Sequence, residues 1–201
     1  MTKINRVSSI LVAMVTTSLM SSCLGTGSGQ VTLKVKAVSL SAGTTSKTNL
    51  TTFKVCAENV LYFDSSGQRI EPANNYAFTT PVNADLSKGT EVSLGSVNSP
   101  TGFDLGKIAI IASHNGTECP VTGSSGGSFA VIVNDKSQTD GDIQLSFNIN
   151  PAVQISGGET ITLDVQSIAD AAADKVIGGT LTNTNVKTTI EAAVGTATVT
   201  K

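Results

Sequence analysis

Ile143-Gln-Leu-Ser-Phe-Asn-Ile149 sets four apolar side chains, Ile143, Leu145, Phe147 and Ile149, in strict alternation with Gln144, Ser146 and Asn148. Successive side chains of a strand point to opposite faces, so the run reads as a strand with one buried and one wet face. That pattern belongs to antiparallel sheets, which cover one face only.

The same signal recurs outward from this run. Gly157-Gly158 turns the chain into Thr160–Val165, with Ile161, Leu163 and Val165 inward. Near the start, Val31, Leu33, Val35 and Ala37 alternate with Lys34 and Lys36. Phe53–Cys56 opens a second extended run, and Asn59–Phe63 reads as a strand buried on both faces, ended by Asp64-Ser-Ser-Gly67. Residues 68–88, with Pro72, Asn74-Asn75 and Pro81, are irregular and close on a turn at Asp85–Gly89. Thr90–Val97 is a strand with Val92 and Leu94 inward, followed by a turn at Asn98–Gly102. Lys107–Ala112 and Ser128–Val133 are short, apolar and β-branched, as central strands are.

One segment breaks the pattern. Ser167–Ile177 is alanine-rich, has a Ser167 cap and stops at Gly178-Gly179, so it reads as a short helix. From Thr180 onward the composition is strand-like around Leu181 and Val194–Val199, with Thr188–Ala193 open to helix. Many short strands divided by glycine and proline turns argue for an antiparallel sandwich or barrel. The expected fold is all-β, an antiparallel β-sandwich (Ig-like or transthyretin-like) with one short helix near the C-terminus.

The N-terminus carries an address. Lys3 and Arg6 precede the apolar stretch Ile10-Leu-Val-Ala-Met-Val, and small residues precede Cys23. The stretch is shorter than the ~20 residues a membrane-spanning helix needs, and suits an export signal. Met20-Ser21-Ser22-Cys23 resembles a lipobox, the processing signal of bacterial lipoproteins, with methionine where leucine is usual. The resemblance implies cleavage between Ser22 and Cys23 and a diacylglycerol on the Cys23 sulfur. Multiple acyl chains anchor stably where one does not. Leu24-Gly-Thr-Gly-Ser-Gly-Gln30 reads as a flexible tether. The residue after Cys23 is Leu24 rather than aspartate, which in enteric lipoproteins implies the outer membrane. The expected organisation is a signal peptide at 1–22, a lipidated cysteine and tether at 23–30, and one domain at 31–201.

Loss of residues 1–22 leaves 11 basic and 15 acidic residues, a net charge of −4 without any block of like charge. A nucleic-acid footprint needs a basic face, so that partner class is disfavoured. Charged residues are only 14% and aromatics 4%, with no Trp. Abundant Ser, Thr, Asn and Gly suit an exported β-protein. Beyond Cys23 two cysteines remain, and an oxidising compartment suggests a Cys56–Cys119 disulfide.

The order of the strands resembles an uncharacterised family of exported bacterial β-sandwich domains, often lipoproteins. The matching features are Val31–Leu40, Val60–Phe63 before Ser65-Ser66-Gly67, Thr90–Val97, and Pro100-Thr-Gly102 before Lys107–Ala112. They continue through Phe129–Val133, Ile143–Phe147 and Ile161–Val165, spanning residues 31–166. That family carries no agreed activity, so the resemblance implies fold and location alone.

No catalytic constellation stands out. His114 is the single histidine and reads as a loop residue; no serine lies in a Gly-x-Ser-x-Gly elbow. Asp64, Asp104, Asp140, Asp142 and Asp164 could do acid/base work only if folding pairs them. Asn134–Asp142 concentrates oxygen ligands, but Lys136 and Gln138 spoil an EF-hand, so no metal is expected. No cofactor is expected either. The first functional reading is a non-enzymatic envelope lipoprotein. It would meet the lipid bilayer through acylated Cys23 and an envelope or surface protein through the loops His114–Gly127 and Asn134–Asp142. The alternatives are a fimbrial or adhesin-like subunit donating Val31–Ala37 or Thr196–Thr200 to a neighbour's sheet, and a carboxylate-based hydrolase.

Overall fold

The computed structural model describes residues 28–38, 52–71, 76–86, 90–113, 131–133, 136–138, 141–177 and 183–201. Cys23, its tether up to residue 27, His114 and Cys119 lie outside the described residues.

The strands are β1 (Ser28–Lys36), β2 (Phe53–Asp64), β3 (Ala77–Asp85), β4 (Val92–Pro100) and β5 (Asp104–Ala112). They continue with β6 (Val131–Val133), β7 (Lys136–Gln138), β8 (Ile143–Gln154) and β9 (Thr160–Asp164). Two helices, α1 (Gln166–Ile177) and α2 (Asn183–Ala192), precede the last strand, β10 (Val194–Thr200).

All the described strands belong to a single sheet, in the order β4-β1-β9-β10-β8-β5-β2. Ala57 and Asn59 pair with both β3 and β5, so β3 must lie on the opposite edge of β2 from β5. By the same argument Lys54 and Val55, paired to both β3 and β6, put the small β6–β7 hairpin on the β5 side. Around the ring this gives eight strands from β4 to β3. β3 then packs close to β4 without a ladder between them, and the sheet nearly closes into a barrel.

The expected sandwich is therefore corrected: there is one curled sheet, not two stacked ones. Alternation reports which face of a strand is dry but not what covers it. β9 and β10 join what would have been two sheets, through the parallel pairs β1–β9 and β8–β10. Bulges supply curvature, since an extra residue on one strand bends it and raises its twist. One lies where Leu33/Lys34 of β1 meet Gly95/Ser93 of β4, and another where β2 skips between Ala57 and Asn59. The first, with Gly95 at φ 98°, shifts the inward parity of β4. Leu94 and Val97 are buried, whereas Val92 is only half-buried.

Several expectations meet their strands. Ile143, Leu145, Phe147 and Ile149 of β8 are buried, as are Ile161, Leu163 and Val165. Val31, Leu33 and Val35 point inward, though the β1 ladder starts earlier, at Ser28↔Pro100. Asn59–Phe63 differs from expectation: it is part of the longer β2, with Val60 and Tyr62 buried and its alternate side chains half-buried. The irregular stretch contains β3, whose Pro81 is tolerated because the strand has a ladder on one edge only. Two helices stand where one was expected. The start of α1 is set by Asp164, whose Oδ1 accepts the Gln166 N–H at 3.1 Å. Ser167, the expected cap, instead donates to the Val194 carbonyl at 2.9 Å and ties α1 to β10.

The expected Cys56–Cys119 disulfide has one end outside the described residues, at Cys119, while Cys56 is disulfide-bonded. Cys56 is 1% exposed on β2 and belongs to the core there.

Gly195 marks where packing is tightest. It pairs with Phe147 across the parallel β8–β10 ladder. A Cβ there would collide with the Asp164 carbonyl oxygen and stand 2.6 Å from the Phe147 ring. Overpacking of this kind costs ~1–3 kcal/mol. Gly195→Ala is therefore expected to lower the unfolding free energy from urea titration by that amount, with a lower midpoint, while Thr198→Ala on the exposed face stays within ~0.5 kcal/mol. Equal midpoints for the two variants would contradict this packing.

Candidate functional site

The topology sorts the connections into two poles. β1 enters at Ser28, beside Pro100 of β4. The 101–103 turn, the 155–159 turn, the 65–68 turn and the end of β10 at Thr200 lie at this same end. We call it the N-terminal pole. At the opposite end β1 finishes at Lys36 beside Asp164. There the chain also leaves β5 after Ala112, returns at Val131 beside Val55, and begins β8 at Ile143 beside Ala112. Helices α1 and α2 pack against each other there, against β10 and β8 on one side and β6 and β7 on the other. This is the helix pole. His114–Gly127 lies outside the described residues, as does much of Asn134–Asp142.

Among the described residues the barrel interior is closely packed. Its cavity is about 20 Å³, lined by apolar side chains including Val35, Leu94, Ile110, Phe147 and Leu163. That is about the space of one water, in a site without the polar partners a water needs. An eight-stranded barrel is just wide enough for its own side chains, and here they fill it.

A larger groove of about 250 Å³ lies outside β2. It forms because the chain after the 65–68 turn folds back along β2, with Ile70 N–H donating to the Tyr62 carbonyl and Val60 N–H to the Tyr76 carbonyl. Asn59, Leu61 and Ile111 face Arg69, Ile70 and Tyr76 across it. Arg69 is exposed and pairs with Glu71 at 3.3 Å. Ligand pockets usually measure ~300–1,000 Å³, so this groove is small. Its polar side chains among the described residues are the Asn59 amide, the Tyr76 phenol and the Arg69 guanidinium, the last already paired.

The carboxylates singled out in the sequence sort into two pairs, with Asp104 one residue from the Asp64↔Leu105 register pair of β2 and β5. Asp64 and Asp104 lie at the N-terminal pole, Asp142 and Asp164 at the helix pole, and Asp140 is outside the described residues. Asp64 is held in its turn: it accepts Ser66 Oγ at 2.6 Å and the N–H groups of Ser66 and Gln68 at 2.9 Å each. The Ser66 hydroxyl, then the Gln68 N–H, keep this carboxyl below its ordinary range. Asp164 pairs with Lys36 at 3.1 Å. Among the described residues no three His, Cys, Asp or Glu side chains gather as metal ligands would.

Two polar features inside the barrel escaped the sequence. Glu159 is 2% exposed, yet its carboxylate is fully occupied in its own turn. It accepts Ser156 Oγ at 2.6 Å, Gly157 N–H at 2.7 Å and Ser156 N–H at 3.1 Å. The Ser156 hydroxyl is the main cause that holds its pKa below the usual value, against the opposing effect of burial. The Glu159 carbonyl and the Gly158 N–H then bond Thr32 and Gln30, locking the turn to β1. The signal in sequence was Ser156 three residues before Glu159, across two glycines. Tyr62 is the second feature. Fully buried, it meets Tyr76 edge-to-face at 4.9 Å and donates its hydroxyl to the Asn98 carbonyl of β4 at 3.1 Å. Burial, with Tyr76 adding to it, pushes the phenol pKa up and keeps it a donor. Ser99, the next residue on β4, buries a hydroxyl that has no partner among the described residues.

No family model, curated protein or solved structure matches the chain.

Tyr62→Phe leaves the Asn98 carbonyl without its donor and is expected to cost ~1–2 kcal/mol in chemical denaturation, whereas Ser99→Ala removes an unpaired hydroxyl and is expected to be neutral or stabilising. The reverse ranking would sink this reading of the seam between β2 and β4. For Glu159 the folded pKa is depressed. Its stabilisation is present above the unfolded carboxyl pKa of ~4.3 and is lost as pH falls through the lower folded value. The wild-type unfolding midpoint should therefore drop more steeply below about pH 4.3 than that of Glu159→Gln. Parallel curves would show that this carboxylate is not held as described.

Proposed function

We propose that the chain is a bacterial cell-envelope lipoprotein, anchored at the outer membrane through an acylated Cys23. Its barrel serves a binding or assembly role rather than catalysis. The observation that supports this most is the position of Ser28. β1 begins five positions after Cys23, at the pole opposite the two helices. A lipid on Cys23 would hold the barrel by one end and present the other.

The alternatives gain nothing from the geometry. A fimbrial subunit would donate β1 or β10, but β1 is paired with both β4 and β9, and β10 with both β9 and β8. Either donation would break two ladders. A hydrolase would need free carboxylates facing a cleft; Asp64, beside Asp104 at the N-terminal pole, is instead engaged by Ser66 and Gln68, and Asp164 by Lys36 and Gln166.

Fractionation of the producing cell tests the anchor. The wild-type protein should stay with membranes through a high-salt wash and need detergent for release. Cys23→Ser should appear in the soluble fraction with an unchanged Tm. Release of the wild-type protein by salt alone would overturn the proposal.

A further inference from the structure

We infer that the N-terminal pole of the barrel is the face that lies against the lipid headgroups, so that the helix pole points away from the membrane. The inference rests on the proposed anchor and adds an orientation to it. Ser28 lies five positions after Cys23. A chain spans at most ~3.3–3.6 Å per residue, so the acylated sulfur is tied within ~18 Å of the start of β1. Part of that reach is used within the headgroup layer, which adds ~5–7 Å on each side of the hydrocarbon core. The barrel is tall by comparison. β8 runs twelve residues from the helix pole to the N-terminal pole. At ~3.3 Å per residue and a tilt of ~35–45° that is a height of about 30 Å. A tether this short, leaving from one rim, cannot bring the other rim to the bilayer without laying the barrel on its side.

The chemistry of the rim fits a neutral contact. Its turn tips are uncharged, with Thr101, Gly102 and a half-buried Phe103 on one turn and Gly157-Gly158 on another. Asp64, Asp104 and the buried Glu159 lie at this pole, Arg69 is paired with Glu71 and Lys201 is exposed, so the described rim carries no basic cluster. Nothing in that mixture selects anionic lipid, so tether length and not membrane charge sets the orientation. The pattern should be the same in phosphatidylcholine vesicles and in vesicles containing phosphatidylglycerol.

Energy transfer to a headgroup-labelled lipid reads the orientation directly. A bioorthogonal dye is placed, one position at a time, at exposed residues of the acylated full-length protein. Gln154 and Lys201 represent the N-terminal pole, and Asp142 and Ala192 the helix pole. With the protein in vesicles, Gln154 and Lys201 are expected to transfer about twofold or more strongly than Asp142 and Ala192, given the ~30 Å height between them. A membrane-bound protein with equal or reversed transfer overturns the orientation alone. A wild-type protein that floats no better with vesicles than Cys23→Ser overturns the anchor, and the orientation with it.

Discussion

A sheet with one apolar face and no second sheet to cover it can leave water by curling onto itself, with helices closing what remains open. That constraint organises this molecule. Val31 and Leu33 of β1, Ile108 and Ile110 of β5, Leu145 and Phe147 of β8, and Ile161 and Leu163 of β9 all face one interior. Each strand buries its row against the rows opposite rather than against a separate layer. The bulges in β2 and β4 bend the sheet far enough to bring β3 beside β4. Where the ladder stops short, the buried Tyr62 hydroxyl reaches from β2 to the Asn98 carbonyl of β4. Gly195 allows β10 to lie close to Phe147 and Asp164 on the far side of the ring. The two poles, and every functional argument made from them, follow from this closure.

What was legible in the sequence is what is local. Period-two alternation places Ile143–Ile149, Ile161–Val165 and Val31–Val35 correctly because it depends on the strand alone. Asp64-Ser-Ser-Gly67 and Gly157-Gly158 are legible for the same reason: a side-chain acceptor or a positive φ makes the turn within a few residues. What was not legible is long-range. The same alternation serves a sandwich and a barrel, and only the β1–β9 and β8–β10 pairings decide between them. β3 was hidden by Pro81 and the asparagines before it, which read as loop unless the strand is known to have an open edge. α2 was hidden by its polar, threonine-rich sequence. It is held by Val186 and Ile190 packing into the core rather than by its own propensity.

The candidate sites divide in the same way. The carboxylates were visible, but their sorting into pairs was not, since it depends on which ends of the strands meet. Glu159 appeared only as an unremarked acid, because a buried carboxylate satisfied by its own turn resembles any other turn residue in one dimension. With the interior filled and the outer groove small, the described surface argues for contact at the poles more than for a bound small molecule. The lipobox-like Met20-Ser21-Ser22-Cys23 supplies a reason for one pole to differ from the other.

The account turns on whether Cys23 carries lipid, and intact mass of the protein extracted from its native membrane decides it. The proposal predicts the mass of residues 23–201 plus a diacylglycerol, with or without a further acyl chain on the new amino terminus. A mass equal to an unmodified polypeptide, beginning at Cys23 or elsewhere, would contradict it and leave a barrel with no fixed relation to any membrane.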